Sequence, residues 1–214
     1  MAPDSRIALV AVALAAALGL HAASSAAPTA AEPGAAPAVT VSLALEESLG
    51  NPKAKVTVIE YGSAACPHCA RVNNEVLPEL KKKYIDTGKV RYVFREILTD
   101  PVPFAGTAFM MARCGGDKNY FAVLDDVFHQ QAAIYESGDL PGGLLKIGAK
   151  YGLDKDKINA CMDERAVQGM NERADKAGKD GIDASPTFLI GDQKLQGEQS
   201  FEKLAAVIDK QLAQ

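Results

Sequence analysis

The apolar positions change their spacing along the chain, and the changes mark out its elements. Over residues 54–63, AKVTVIEYGS, Val, Ile, Thr and Tyr follow one another with little polar alternation, which predicts a strand buried on both faces. From Cys66 the run CPHCARVNNEVLPELKKKYIDTG takes helical spacing at Val72, Val76, Leu77, Leu80 and Tyr84 and stops at Gly88. Pro78 lies inside that helix and should kink it, since it lacks an N–H and its ring crowds the preceding turn. KVRYVFREI, residues 89–97, is a second predicted strand. Strand, helix, strand in this order predicts a parallel pair joined by a right-handed crossover.

From about Pro103 to Gly181 no strand pattern is visible. FAGTAFMMARC, YFAVLDDVFHQQ, GGLLKIGAKYG, DKDKINACMDE and QGMNERADKAGK each read as a helix, parted by Gly, Pro or Asp. The Met and Phe residues of FAGTAFMMA are assigned to core packing. After the block come PTFLIGDQKLQG, two short strands about a GDQ turn, and SFEKLAAVIDKQLA, an amphipathic helix with Ser200 as its N-cap. The whole is an α/β chain in the order βαβ, helical block, ββα, with no internal repeat.

At the N-terminus, Arg6 precedes an apolar stretch from Ile7 to Leu20, followed by the small residues HAASSAAPTAA. This is the layout of a secretory signal peptide over residues 1–27, cut after Ala27. The stretch is shorter than the roughly 20 residues that span a bilayer. The Ala/Pro-rich residues 28–39 read as a flexible lead into the domain. The formal net charge of -4 offers no basic patch, which argues against nucleic acid as a partner.

All four cysteines, Cys66, Cys69, Cys114 and Cys161, follow the signal and so enter an oxidising compartment. Their spacing favours Cys66 with Cys69 and Cys114 with Cys161. The second pair would tie two helices of the block together, and the chain-entropy argument gives about 4 kcal/mol for such a loop.

Cys66-Pro67-His68-Cys69 lies where a strand gives way to a helix. Cys66 falls at the helix N-terminus with Pro67 in the first turn, where a missing N–H costs nothing. A sulfur there faces unsatisfied backbone N–H groups and the positive end of the helix dipole, which favour thiolate over thiol. His68 would add a further donor or a positive charge. Stabilising the thiolate stabilises the reduced protein, so the disulfide becomes the stronger oxidant. Cys69, one turn further in, should be shielded and act as the resolving partner.

A zinc site lacks further ligands at suitable spacing, so no metal is assigned. A purely structural disulfide across so short a loop would gain little. Glu60, six residues before Cys66 in a strand that reads as buried, should have a raised pKa and could relay protons to and from Cys69, unless it points to solvent. Ser185-Pro186 stands directly before a short strand. On sequence alone it reads as an ordinary trans strand-start proline.

VTVIEYGSAACPHC, the helical block, and SPTFLIG with its hairpin and final helix together resemble the DsbA-type thiol oxidases, thioredoxin-fold proteins of the bacterial periplasm. The resemblance covers roughly residues 40–214. It implies a central mixed sheet flanked by helices, built from residues 40–102 and 182–214, with residues 103–181 as an inserted helical domain. It further implies Cys66 as nucleophile, Cys69 as resolving cysteine, Glu60 as buried acid and Pro186 as a cis-proline packed on the disulfide. Ser185 would offer its backbone to an extended substrate peptide, and it stands where Val or Thr is more usual. No cofactor beyond the redox-active disulfide is implied.

The expected role is a periplasmic oxidase of newly exported, cysteine-containing proteins, recharged by a quinone-linked membrane partner. The short Ala/Pro-rich lead argues against a dimerisation domain, hence for a monomer and against an isomerase. A reductase of the same fold, and a non-catalytic chaperone or copper carrier, remain as alternatives.

Overall fold

A computed structural model describes residues 46–214. The assigned signal peptide and lead, residues 1–39, lie outside the described residues. A five-stranded sheet in the order β1-β3-β2-β4-β5 forms the centre, from Glu47–Gly50, Val56–Gly62, Val90–Glu96, Thr187–Ile190 and Gln193–Gln196 (β1 to β5). β2 and β3 are parallel, with Val56 opposite Val90 and Gly62 opposite Glu96. The other pairings are antiparallel. β2 therefore has a hydrogen-bonded neighbour on each side and helices over its faces, the environment its unbroken β-branched run demands.

β1 is the element that the hydropathy pattern does not announce. ESLG carries no apolar run and is only four residues long. It is a strand because β3 pairs with it, Glu47 opposite Phe94, and because buried Glu47 meets Arg113 at 2.9 Å.

After β2 the chain turns at Ser63 and enters a continuous helical run. It comprises Pro67–Arg71 (α1), a π turn at Val72–Val76, Leu77–Leu80 (α2) and a second π turn at Lys81–Ile85. The disturbance expected at Pro78 takes this form: the proline is in the first turn of α2, directly after a π turn that widens the helix where the ring would otherwise crowd it.

The block between β3 and β4 is helical throughout: Val102–Cys114 (α3), Tyr120–Ser137 (α4), Leu140–Lys150 (α5), Lys155–Cys161 (α6) and Glu164–Lys179 (α7). Asp139, Asp154 and Asp163 cap α5, α6 and α7 by accepting from backbone N–H groups. α4 extends six residues beyond the stretch read from sequence, because Ile134 continues its buried stripe until Gly138 turns left-handed at φ +70°. Ser200 caps the closing helix, Phe201–Leu212 (α8), as its sequence predicts.

The main core runs without a break from the sheet into the helical block. Phe94 of β3 meets Phe109 of α3 and Phe128 of α4 with ring centroids 6.1 and 6.3 Å apart. Met110 and Met111 are buried with them, in the core role assigned to FAGTAFMMA. Cys114 and Cys161 are bridged, joining the ends of α3 and α6 with Cα atoms 6.1 Å apart. Beside them Arg113, 1% exposed, reaches Glu96 at 2.7 Å, and Arg173 of α7 reaches the other oxygen of Glu96 at 2.7 Å.

Candidate active site

β2 delivers the site from below. Its period-two alternation puts Val58 and Glu60 on the main-core face, while Ile59 and Tyr61 face a small second cluster with Ala177 and Ile182. Glu60 is 2% exposed, so it points inward and not to solvent. Its Oε2 accepts from the Tyr92 hydroxyl at 2.6 Å. Burial pushes its carboxyl up to about 7 against the effect of that hydrogen bond, and the negative charge of Cys66 adds to the rise.

The turn Ser63–Cys66 closes with Cys66 N donating to Ser63 O at 3.0 Å. Cys66 is the N-cap of α1, one residue before the first helical position at Pro67. It is 8% exposed, whereas Cys69 is fully covered. The two are unbridged, and a hydrogen bond from Cys69 is the first of the influences that bring the Cys66 thiol down to about 5. Burial opposes this, while the backbone N–H groups of Cys69 and His68 and the Ser185 hydroxyl reinforce it. Cys69 moves the other way, held well above the usual thiol range by burial, by its bond to Cys66 and by the charges of Glu60 and Cys66. The pair thus shares one negative charge at neutral pH, with its outer sulfur ionised and its inner one protonated.

The loop before β4 completes the site from more than a hundred residues away. The Ser185-Pro186 bond is cis, as the resemblance implies and the bare sequence does not, and Asp100-Pro101 is cis as well. Ser185 brackets both sulfurs: its carbonyl lies 3.4 Å from Cys66 Sγ and its hydroxyl 3.2 Å from Cys69 Sγ.

His68 contributes differently from the expectation. Its backbone N–H stabilises the Cys66 thiolate, but its imidazole is turned outward, with Nδ1 2.8 Å from Glu198. Arg71 grips the same carboxylate with Nε and Nη2 at 2.6 to 3.0 Å, so the ring is engaged by a surface cluster and is not aimed at the sulfur.

Several partners carry no motif and were not singled out from the sequence: Tyr92, Glu198, Arg71, Thr99, Gln131 and Tyr135. Thr99 donates to the Ser63 hydroxyl at 2.9 Å, and Ser63 N–H faces Cys69 Sγ at 3.5 Å. One signal was present for Gln131: with Leu124, Val127 and Ile134 it falls on the buried stripe of α4, where an amide is out of place.

A family model described as Thioredoxin matches residues 45–210. Among solved structures, alpha-DsbA1 of Wolbachia pipientis is 31% identical with a TM-score of 0.70, covering 78% of this chain and 91% of its own. The chain therefore belongs to the DsbA-type proteins of the thioredoxin fold, with the mixed sheet and helical insertion that this class carries. Disulfide bond formation protein D of Bacillus subtilis is 25% identical over 77% of this chain and 76% of its own length. A protein of Rickettsia conorii, whose name places it provisionally among the protein-disulfide oxidoreductases, is 33% identical over 168 residues. The match takes in 77% of this chain but only 59% of that relative.

Proposed function

We propose that the protein is a thiol:disulfide oxidoreductase that works as a dithiol oxidase, donating a Cys66–Cys69 disulfide to newly exported proteins in the periplasm. The observation that carries this reading is the N-cap position of Cys66, whose thiol is held at about 5 by Cys69 and the backbone N–H groups around it. A dithiol so strongly biased toward its ionised, reduced form makes an oxidising disulfide.

In the cycle, a substrate thiolate attacks Cys66 Sγ, the more exposed sulfur, and forms a mixed disulfide. The Cys66–Cys69 bond breaks, and its electron pair leaves on Cys69. Cys69 holds its proton tightly, so it leaves as a thiol, and Glu60 is the buried acid placed to supply that proton. A second substrate thiolate then attacks the substrate sulfur and expels Cys66 as a stabilised thiolate. The substrate loses two electrons and gains a disulfide, while the protein becomes the dithiol. Ser185 and cis-Pro186 present the backbone edge on which an extended substrate segment lies beside the sulfurs.

The remaining assignments belong to the same reading. Residues 40–102 and 182–214 form the redox platform, residues 103–181 the helical insertion, and Cys114–Cys161 a structural bridge. The chain needs no cofactor beyond its disulfide and acts as a monomer. Its N-terminal pattern supports export, and a quinone-linked membrane oxidase returns the disulfide after each turn.

Equilibration of the full-length protein with glutathione tests the oxidase assignment. We expect a reduction potential far above that of a thioredoxin, together with rapid oxidation of a dithiol peptide. A potential near the ~-270 mV of thioredoxin would replace the oxidase with a reductase.

A further inference from the structure

Three consecutive carbonyls ahead of the redox helix are held by one helix of the insertion. Gln131 Nε2 donates to Ala64 O at 2.7 Å and to Cys66 O at 3.4 Å. The Tyr135 hydroxyl donates to Ala65 O at 2.9 Å. The two side chains are four residues apart on α4 and so stand one above the other on the same face.

Gln131 is 2% exposed, and Ala64 and Ala65 are sealed at 0% and 1%. A buried amide among core residues is costly unless bonded, and an apolar side chain of similar volume would fill the space without that cost. The disulfide cycle itself makes no use of Gln131 or Tyr135.

Their position explains them. Cys66 O already accepts the first intrahelical bond from Ala70 N at 3.1 Å, and Gln131 adds a second donor to it. Each carbonyl oxygen carries partial negative charge, which near Cys66 Sγ would oppose a thiolate. Drawn toward α4, these oxygens leave the N–H groups of His68 and Cys69 to face the sulfur. The donated hydrogens also bring the positive ends of two dipoles to the turn. Tyr135 is held up to about 12 by burial and by the charge of Cys66, so it stays a donor across the working range and is electrostatically in touch with the sulfur.

We propose that Gln131 and Tyr135 are positioning residues: through the carbonyls of residues 64–66 they fix the turn before α1 and set how firmly Cys66 holds its negative charge. The inference rests on the thiolate reading above. It makes the helical insertion a determinant of redox reactivity.

The test is the Cys66 thiolate titration, followed by ultraviolet absorbance, and the glutathione equilibrium of full-length wild type, Gln131→Met, Tyr135→Phe and the double variant. Tyr135→Phe removes only the hydroxyl and keeps the edge contact with Phe104, 5.2 Å between centroids, so it folds even if Gln131→Met does not. We expect the Cys66 pKa to rise and the disulfide to become a weaker oxidant by about tenfold in Gln131→Met and about threefold in Tyr135→Phe. Variants that lose thermal stability yet titrate as wild type would overturn the inference and leave the oxidase reading standing. A wild-type Cys66 that titrates in the ordinary thiol range would overturn both.

Discussion

Two buried glutamates on adjacent parallel strands, Glu60 near the Cys66 and Cys69 pair and Glu96 paired with the arginine that precedes Cys114, are built to opposite ends. Under Cys66 and Cys69, Glu60 meets no cation among the described residues and accepts its hydrogen bond from a neutral tyrosine. Glu96 is met by Arg113, the residue before Cys114, and by Arg173, and Tyr120 donates to it at 3.2 Å. Leaving out the guanidinium allows burial to lift a carboxyl into the neutral range, where it can give and take a proton. Where two guanidinium groups are supplied, the glutamate is held in an ion-pair cluster that joins β1, β3, α3 and α7. Burial alone therefore says little about what a glutamate does; the partner it is buried with decides.

The largest effect that separates the two pairs is expected from Cys66→Ser. Oxidation of a dithiol peptide should fall to background, on the order of 10³-fold or more, while Cys114→Ser should leave the rate per folded molecule unchanged. Equal losses in both would erase the distinction.

Next is Arg113→Met, which takes the Arg113 cation from buried Glu47 and leaves Glu96 to Arg173 and Tyr120. Denaturant unfolding should show a loss of about 3–5 kcal/mol, with the Cys66 titration unmoved in the molecules that remain folded.

Glu60→Gln sharpens the contrast from the other side. The carboxyl of Glu60 rises to about 7 on folding, so the native state binds its proton more tightly than the unfolded chain does. Its contribution to stability is fully present below the unfolded pKa and is lost as pH rises through about 7. At pH ~8 the variant should thus be more stable than wild type by up to about 3 kcal/mol, less whatever the Tyr92 hydrogen bond was worth, and the advantage should vanish in acid. A pH-independent difference would show that Glu60 does not titrate where its surroundings place it.

The smallest change is Ser185→Ala. Loss of the hydroxyl 3.2 Å from Cys69 Sγ should raise the Cys66 pKa and shift the glutathione equilibrium about threefold toward the oxidised protein. Rates measured with peptide substrates should show no larger loss, because the backbone that receives the peptide is kept.

Much of this was legible because local patterns and tertiary context agreed. The continuous β-branched run of β2, the helical spacing after Cys66 and the capping residue Ser200 each act within a few residues of themselves. β1 was not legible, since Glu47 and Leu49 belong to a strand only through β3 and Arg113. In the site, the CPHC motif could be read because it holds its chemistry in adjacent residues, whereas the cis Ser185-Pro186 bond followed only from the family resemblance. The direction of the His68 ring could not, because Glu198, which turns it outward, lies 130 positions away. Gln131 and Arg113 share one signature, a polar residue on an apolar helical stripe; the sequence flags such a residue without naming its partner.

The N-cap placement of Cys66 has a consequence for the working cycle as a whole. Every N–H that steadies the thiolate belongs to the folded backbone, so accepting electrons and tightening the fold are a single event. In the proposed cycle the molecule is sturdiest when spent and most easily loosened when charged. Whatever recharges it must work against the fold as well as against the chemistry.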